Sequence, residues 1–205
     1  MQSNSEKYSI NADQYQDHGH DHFGNDRGAE THPTLGYNFR ISELNAAVGI
    51  AQLGKIDDIL ALQKRNYTIT RDALASVEGV TFRRVPEGGV ENYSFLNFFL
   101  PSEELSQKAH KALGEAGVDV CFYWYTNNWH YINGWEHLRD LKSMGNLPSE
   151  VKNQIQDFSK TDVSKSDAWM SRTISSLVKV GWTEAQVKER AENMAKIISE
   201  VLKSS

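Results

Sequence analysis

The sequence predicts an α+β fold, a small and mostly antiparallel sheet with helices packed on one side. Three observations carry this. Apolar residues recur at three- and four-residue steps in the segments after Ser42 and after Thr183. Short runs rich in β-branched and aromatic residues begin near Val80, Tyr93, Val118 and Thr173. Glycines and prolines separate those runs from the helical stretches.

Residues 1–41 open on a polar tract. Met1 to Pro33 is rich in His, Asp, Asn and Gly with almost no aliphatic side chains, so it cannot build a core of its own. It must lie against something else, and the N-terminus reads as the middle of a larger protein. From Ser42 the pattern becomes helical: Leu44, Val48, Ala51, Ile56, Ile59, Leu60 and Tyr67 share a face, and no proline intervenes before Gly79. One continuous helix over 42–78 is expected, roughly 50 Å long at ~1.5 Å per residue, joining two lobes or two subunits. Residues 79–205 then form a small C-terminal domain. Its strands are expected at Val80 to Val85, Tyr93 to Leu100, Val118 to Trp124 and Thr173 to Val180. Ser102 begins a helix that Gly117 closes in the left-handed conformation. Thr183 and Gln186 form a capping box for the last helix, which puts Val187, Ala191, Met194, Ile198 and Val201 on one face.

The composition narrows the function. The 205 residues suffice for one sizeable domain or one and a half small ones, and 39% hydrophobic with 24% charged residues is ordinary for a soluble protein. A net charge of −5 gives no basic footprint, so neither nucleic acid nor an anionic membrane is an expected partner. No apolar run approaches the ~20 residues of a membrane span. The single cysteine, Cys121, excludes an internal disulfide and lies in an apolar run that suits a buried thiol. With no signal peptide, a reducing, cytoplasmic setting is expected.

Four places can carry chemistry. In Asp17-His18-Gly19-His20-Asp21-His22, alternate histidines share one face of an extended segment, the spacing of a metal site. Gly19 breaks any regular strand, however, and no further ligand follows at the right spacing, so no metal is assigned. A loop hydrogen-bonded to a polar ligand or a neighbouring chain is favoured instead. In Gly36-Tyr37-Asn38-Phe39-Arg40-Ile41-Ser42-Glu43, a glycine precedes a helix start, and Asn38 and Arg40 offer donors suited to phosphate or carboxylate. A capped helix with a solvated Arg40 is an equal reading of that spacing. The aromatic run from Phe122 through Trp129, His130 and Trp135 is interrupted by Asn127 and Asn128, which favours a sugar-facing loop over a plain aromatic core. Arg172, directly before a strand, can pair with a carboxylate or serve as a surface charge.

Together, Asp17-His18-Gly19, the block Gly36 to Glu43, Asn45-Ala46-Ala47 and Gln52-Leu53 resemble the DegT/DnrJ/StrS aminotransferases. These are fold-type-I, pyridoxal-phosphate enzymes that aminate keto or aldehyde sugars, commonly with glutamate as donor. The stretches His20 to Pro33, Phe122 to Leu138 and Trp169 to Trp182 resemble one branch, the 8-amino-3,8-dideoxy-manno-octulosonate transaminases of lipopolysaccharide biosynthesis. The resemblance implies pyridoxal phosphate as cofactor, a homodimer, and Asn38 reaching across to the cofactor phosphate of the neighbouring subunit. It places His18, Tyr37, Arg40, Trp129, His130 and Arg172 on the substrate side. It also implies that the lysine holding the cofactor covalently lies in a large domain upstream, because no lysine here has that context. The expected partner is therefore that domain or a full-length aminotransferase subunit. As alternatives, the chain is a non-catalytic module that docks on a complete aminotransferase, or a metal- or carbohydrate-binding module.

Overall fold

The computed structural model describes residues 4–22, 24, 28–127, 129, 131–154 and 160–204. The chain divides into two units, Met1–Ile56 and Asp57–Ser205.

The first unit holds a helix that periodicity does not announce. α1, Glu6–Gln16, has no apolar stripe and buries only Gln14. It ends where Asp17 forms an isolated antiparallel bridge with Asn38. α2, Glu43–Leu53, starts as expected, with the Ser42 side chain accepting from the Asn45 N–H at 3.2 Å. None of its residues is buried.

The single helix expected over 42–78 is in fact two. α2 stops at Leu53, and α3 runs from Ile56–Ala75. Between them Lys55 N–H donates to the Gln52 carbonyl at 3.0 Å, an i→i−3 bond that tightens the turn. Gly54 is about 1 kcal/mol poorer than alanine in a helix interior. Asp57 and Asp58 favour a new N-terminus, where the helix dipole is positive.

The second unit is built around a four-stranded sheet of order β1-β2-β4-β3, antiparallel at each pairing. The strands are β1 (Thr81–Phe82), β2 (Phe95–Phe99), β3 (Cys121–Phe122) and β4 (Thr173–Leu177). Each lies inside its expected segment and is shorter. In β1 the ladder ends at Phe82, and Pro86, with no N–H to give, closes a turn with Gly89. Two longer helices follow in sequence: α4 (Glu103–Glu115), capped by Ser102, and α8 (Glu184–Lys203). α8 opens on the predicted capping box of Thr183 and Gln186. Gly117 stands past the end of α4 with φ +74°, as expected.

Period-two alternation sorts the sheet's two faces. Leu96 and Phe98 of β2 and Ile174 of β4 are fully buried with Ala109 and Leu113 of α4 and Met194 and Ile198 of α8. Tyr67 and Leu74 of α3 join that core. Burial of each large apolar side chain contributes about 1.5–3 kcal/mol. Asn66, 1% exposed, sits at its edge and donates to the Lys179 carbonyl at 3.0 Å. The other face carries Phe95, Asn97 and Phe99, paired with Leu177, Ser175 and Thr173. Among the described residues, a 3₁₀ turn (Ile132–Gly134) and three short α-helices, α5 (Glu136–Arg139), α6 (Ser149–Gln154) and α7 (Ser164–Met170), lie between β3 and β4. These replace the indistinct helical region after Trp135.

Candidate functional sites

In the first unit the backbone itself draws two motifs together. His18 N–H donates to the Tyr37 carbonyl at 3.1 Å, Tyr37 N–H to Tyr15 at 2.8 Å, and Phe39 N–H to Gln16 at 2.9 Å. Glycine is required on both sides of this crossing. A Cβ on Gly36 would lie 2.4 Å from the Gly19 nitrogen, and one on Gly19, whose φ is +89°, would lie 2.0 Å from the Thr34 carbonyl oxygen. Asp17-His18-Gly19 and Gly36-Tyr37-Asn38, distant in sequence, therefore form one structural knot.

Asp17, 4% exposed, is the electrostatic centre of the knot. Arg40 Nε stands 3.2 Å from one of its carboxylate oxygens, and His22 Nε2 3.1 Å from the other. The second His22 nitrogen, Nδ1, lies 2.6 Å from Asp13. Hydrogen bonds to Asp13 and then Asp17 hold the His22 pKa above its ordinary value. Arg40 also fixes Asn38: its Nε donates to the Asn38 Oδ1 at 3.1 Å and its backbone N–H at 3.3 Å. With the oxygen engaged, the exposed amide nitrogen of Asn38 makes no hydrogen bond among the described residues. It points a pair of donors outward, the complement of a phosphate oxygen. Tyr37 is 53% exposed and meets Tyr15 edge-on, while Phe39 stacks on the same Tyr15. His18 is exposed at φ +54°.

The His20 and His32 side chains sit beside this knot without joining it. His20 Nδ1 lies 2.8 Å from Glu30, and the His20 and His32 rings are 4.2 Å apart. Among the described residues, no group of three or more His, Cys, Asp and Glu is arranged to hold a metal ion.

The second unit carries the aromatic loop and Arg172. Phe122 stacks on Trp124 with centroids 4.6 Å apart, and Trp124 stacks in turn with Trp129, which is 68% exposed. His130 and Asn128 lie outside the described residues. Two tyrosines tie the loop down: Tyr123 donates to the Ser171 carbonyl at 2.8 Å, and Tyr131 donates to Asp167 on α7. Burial first, then that hydrogen bond, pushes the Tyr131 hydroxyl pKa up. Arg172 lies over the Trp169 ring at 4.9 Å and donates through Nε to the Ala168 carbonyl at 3.0 Å. Cys121 is part-buried, and its thiol pKa is raised by burial, as expected of a structural cysteine.

Sequence reasoning missed Asn97, Ser175, Asp167 and Trp169. The first two were masked inside strand patterns read only for apolar content. Trp169 stands on α7, a helix too short to show a periodicity. The seven residues of α7 make two turns at most.

Known aminotransferases resemble this chain in sequence and in fold. A protein named as a pyridoxal phosphate-dependent aminotransferase, EpsN of Bacillus subtilis (strain 168), is 36% identical over 61 residues, which are 30% of this chain and 16% of EpsN. The aminotransferase from Psychrobacter cryohalolentis superposes with a TM-score of 0.71 at 17% identity, over 98% of this chain and 51% of that one. Helicobacter pylori PseC, an aminotransferase involved in the biosynthesis of pseudoaminic acid, gives 0.62 at 13% identity, over 99% and 48%. The chain thus spans about half the length of the solved relatives it matches. Those likenesses establish the fold, the mixed helix-and-antiparallel-sheet layer expected from the sequence. The enzymes of the matched family depend on pyridoxal phosphate. The family's sequence pattern matches residues 1–194, so the chain belongs to the DegT/DnrJ/EryC1/StrS aminotransferases.

Proposed function

We propose that these residues are the C-terminal half of a pyridoxal-phosphate-dependent sugar aminotransferase, in which Asn38 donates to the cofactor phosphate of a neighbouring subunit. The family match carries the reading, and the pinned Asn38 amide fits it: donors are presented outward and the acceptor is already engaged. Pyridoxal phosphate supplies the electron sink through which an amino group is exchanged. The residues of this chain bind and orient. Arg40 and Asp17 hold Asn38 in place, and His18 and Tyr37, exposed beside it, face the substrate.

The substrate we propose is a keto or aldehyde sugar, an octulosonate in particular, with glutamate as amino donor. Both carry a carboxylate, and a guanidinium is its natural clamp. Arg172 suits that role better than Arg40. Arg40 is paired with the Asp17 carboxylate, which neutralises it, whereas Arg172 is held by a neutral carbonyl and the Trp169 ring, and its Nη groups make no hydrogen bond among the described residues.

The lysine that binds the cofactor belongs, in this reading, to a large domain preceding residue 1–41. The 205 residues by themselves then hold no covalent cofactor. Incubation with pyridoxal phosphate, borohydride reduction and peptide mass mapping should find no pyridoxyl group on any lysine; a stoichiometric adduct would overturn the reading. In the enzyme assembled with the lysine-bearing segment, Asn38→Ala should weaken cofactor binding about tenfold, roughly one charge-assisted hydrogen bond. Unchanged affinity there removes Asn38 from the cofactor site.

A second reading is favoured by one observation. Leu44, Val48, Ile50 and Leu53 on α2 are each 55% exposed or more, as are Leu35, Phe39 and Ile41 before it. Such a surface requires a protein cover. A non-catalytic module that docks on a complete aminotransferase would show it too. Transaminase activity from the chain and its lysine-bearing segment together, absent from either alone, separates the two.

A further inference from the structure

The face of the sheet opposite the core forms a cleft of about 510 Å³, within the range of small-molecule sites. Its walls are aromatic: Phe95 and Phe99 from β2, Trp124 from the loop after β3, and Trp169 from α7. Its floor is polar. Asn97 and Ser175 face each other across the β2–β4 pairing, and Thr173 sits beside them. Ser175 is 2% and Thr173 7% exposed, so three hydrogen-bonding side chains lie beneath an aromatic rim.

The internal bonds of that floor decide what it offers. Ser175 Oγ donates to Asn97 Oδ1 at 2.6 Å, and Thr173 Oγ1 donates to the Trp169 carbonyl at 2.6 Å. Both hydroxyl protons and the Asn97 oxygen are thereby engaged. What remains is the Asn97 amide, a double donor with no bond among the described residues, flanked by the acceptor lone pairs of Ser175 and Thr173. One donor group between two acceptors complements adjacent hydroxyls, each of which gives and takes a hydrogen bond. The walls supply the other half of the recognition. Trp169 is 55% exposed although it stands among aromatic neighbours, with Phe99 edge-on at 5.1 Å and the Arg172 guanidinium on its ring. An indole held rigid on protein yet open to solvent is a stacking platform for the C–H face of a sugar ring. Buried under an apolar partner surface, the Asn97 amide would lose its water without gaining an acceptor, at a cost of about 1–3 kcal/mol. Arg83, at the edge, is neutralised by Glu91, so hydroxyl geometry outweighs charge.

We propose that this cleft binds a monosaccharide ring, stacked on Trp169 with the edge of Trp124 beside it and hydrogen-bonded through its vicinal hydroxyls to Asn97, Ser175 and Thr173. The choice of a sugar rests in part on the aminotransferase reading. The test does not, since it scores binding to the chain without cofactor or turnover.

The probe is methyl α-D-glucopyranoside, with cyclohexanol as an apolar ring lacking the hydroxyl pattern. Saturation-transfer NMR on the 205-residue chain should show ring protons of the glycoside in contact, with a dissociation constant on the order of a millimolar. Trp169→Ala should weaken binding at least tenfold, and Asn97→Ala about tenfold, each with an unchanged far-ultraviolet dichroism spectrum. Trp169 is largely exposed and Asn97 lies off the core, so both variants are expected to fold. Ser175→Ala is a second floor variant in case Asn97→Ala disturbs the sheet. Glycoside binding that survives Trp169→Ala and Ser175→Ala, or cyclohexanol binding as well as the glycoside, overturns the proposal. So does the absence of any glycoside signal. Self-association that Trp169→Ala abolishes, with no response to glycoside, would assign the cleft to a second copy of the chain and equally overturn it.

Discussion

The two units of this chain are ordered by different physics. In the unit Asp57–Ser205, large apolar side chains from three helices and two strands vanish from solvent: Leu74, Leu96, Phe98, Leu113, Ile174, Met194 and Ile198 are all 0% exposed. In Met1–Ile56 the described buried residues other than glycine are polar, Gln14 and Asp17, while Leu35, Leu44 and Ile50 stand more than 70% exposed. Folding of the larger unit is driven by burial of apolar surface. The smaller one is held by backbone hydrogen bonds between the end of α1 and the segment Tyr37 to Phe39, by a close glycine crossing, and by carboxylates shared among His22 and Arg40. A segment can be specified locally without having a core, and such a segment is specified for a cover it does not itself contain.

The contrast predicts where a substitution will be felt. The largest effect is expected at Phe98. All five tryptophans follow residue 120, so their emission reports the larger unit alone. Phe98→Ala should cost that unit about 3–5 kcal/mol in urea unfolding followed by tryptophan emission. A cost under about 1 kcal/mol would mean that the sheet–helix core is not what stabilises it.

Gly36→Ala comes next, and it tests the opposite mechanism. The added Cβ meets backbone rather than a flexible side chain, so about 1–3 kcal/mol of local stability should go. Amide exchange at Tyr37 and Phe39 should accelerate correspondingly. Unaltered protection at both amides would show that the crossing is not the fastening.

The helix caps sharpen the comparison at smaller scale. Thr183→Ala removes one side of the capping box on α8, whose buried stripe links it to the core, and should lower global stability by about 1 kcal/mol. Ser42→Ala removes a similar bond from α2, which buries nothing, so its effect should appear as faster exchange of the first α2 amides without a shift in the tryptophan-monitored midpoint. A shift in that midpoint would break the distinction between the units.

The smallest effect is a titration. His22 has its pKa raised by Asp13 and Asp17 relative to an unfolded value near 6.5. A raised value means that the charged pairing is fully present below the unfolded pKa and is lost as pH rises through the folded one. The ring should therefore titrate above 6.5 by NMR, and Asp13→Asn should move the midpoint down. Equal midpoints in the two proteins would remove His22 from the carboxylate pair.

How much of this was legible in the sequence follows the same divide. In the larger unit, the stripe Val187, Ala191, Met194, Ile198 and the alternation through Leu96 and Phe98 report directly on a face that the chain itself covers. Periodicity is the imprint of such burial, so the four strands and the helices α4 and α8 fall where expected. The smaller unit carries no imprint of that kind. α1 was invisible because its residues are polar on every side, and the continuity read into Ser42 to Val77 was an apolar face that does not reach a core until Asn66 and Tyr67. Gly54 and the acidic pair Asp57–Asp58 were the available signs of a new helix start. In the knot, Gly19, Gly36, Asn38 and Arg40 could be selected as a motif, but the side-chain bond from Arg40 to Asn38 could not. It depends on a conformation that residue types alone do not encode. Asn97 and Ser175 were missed for a related reason: a polar residue on a strand's outer face looks solvated until the loop and α7 bring tryptophans over it.

The crossing of Gly19 and Gly36 also bears on how the molecule can change. Main chain against main chain leaves no room for a compensating substitution, since no smaller residue exists for either partner. The excursion between them, from His20 to Leu35, starts and returns at that clasp. Apart from His22, which holds Asp17, its side chains can be exchanged while Asn38 keeps its position. Diversity in ligand choice can therefore accumulate in the excursion at little risk to the anchor.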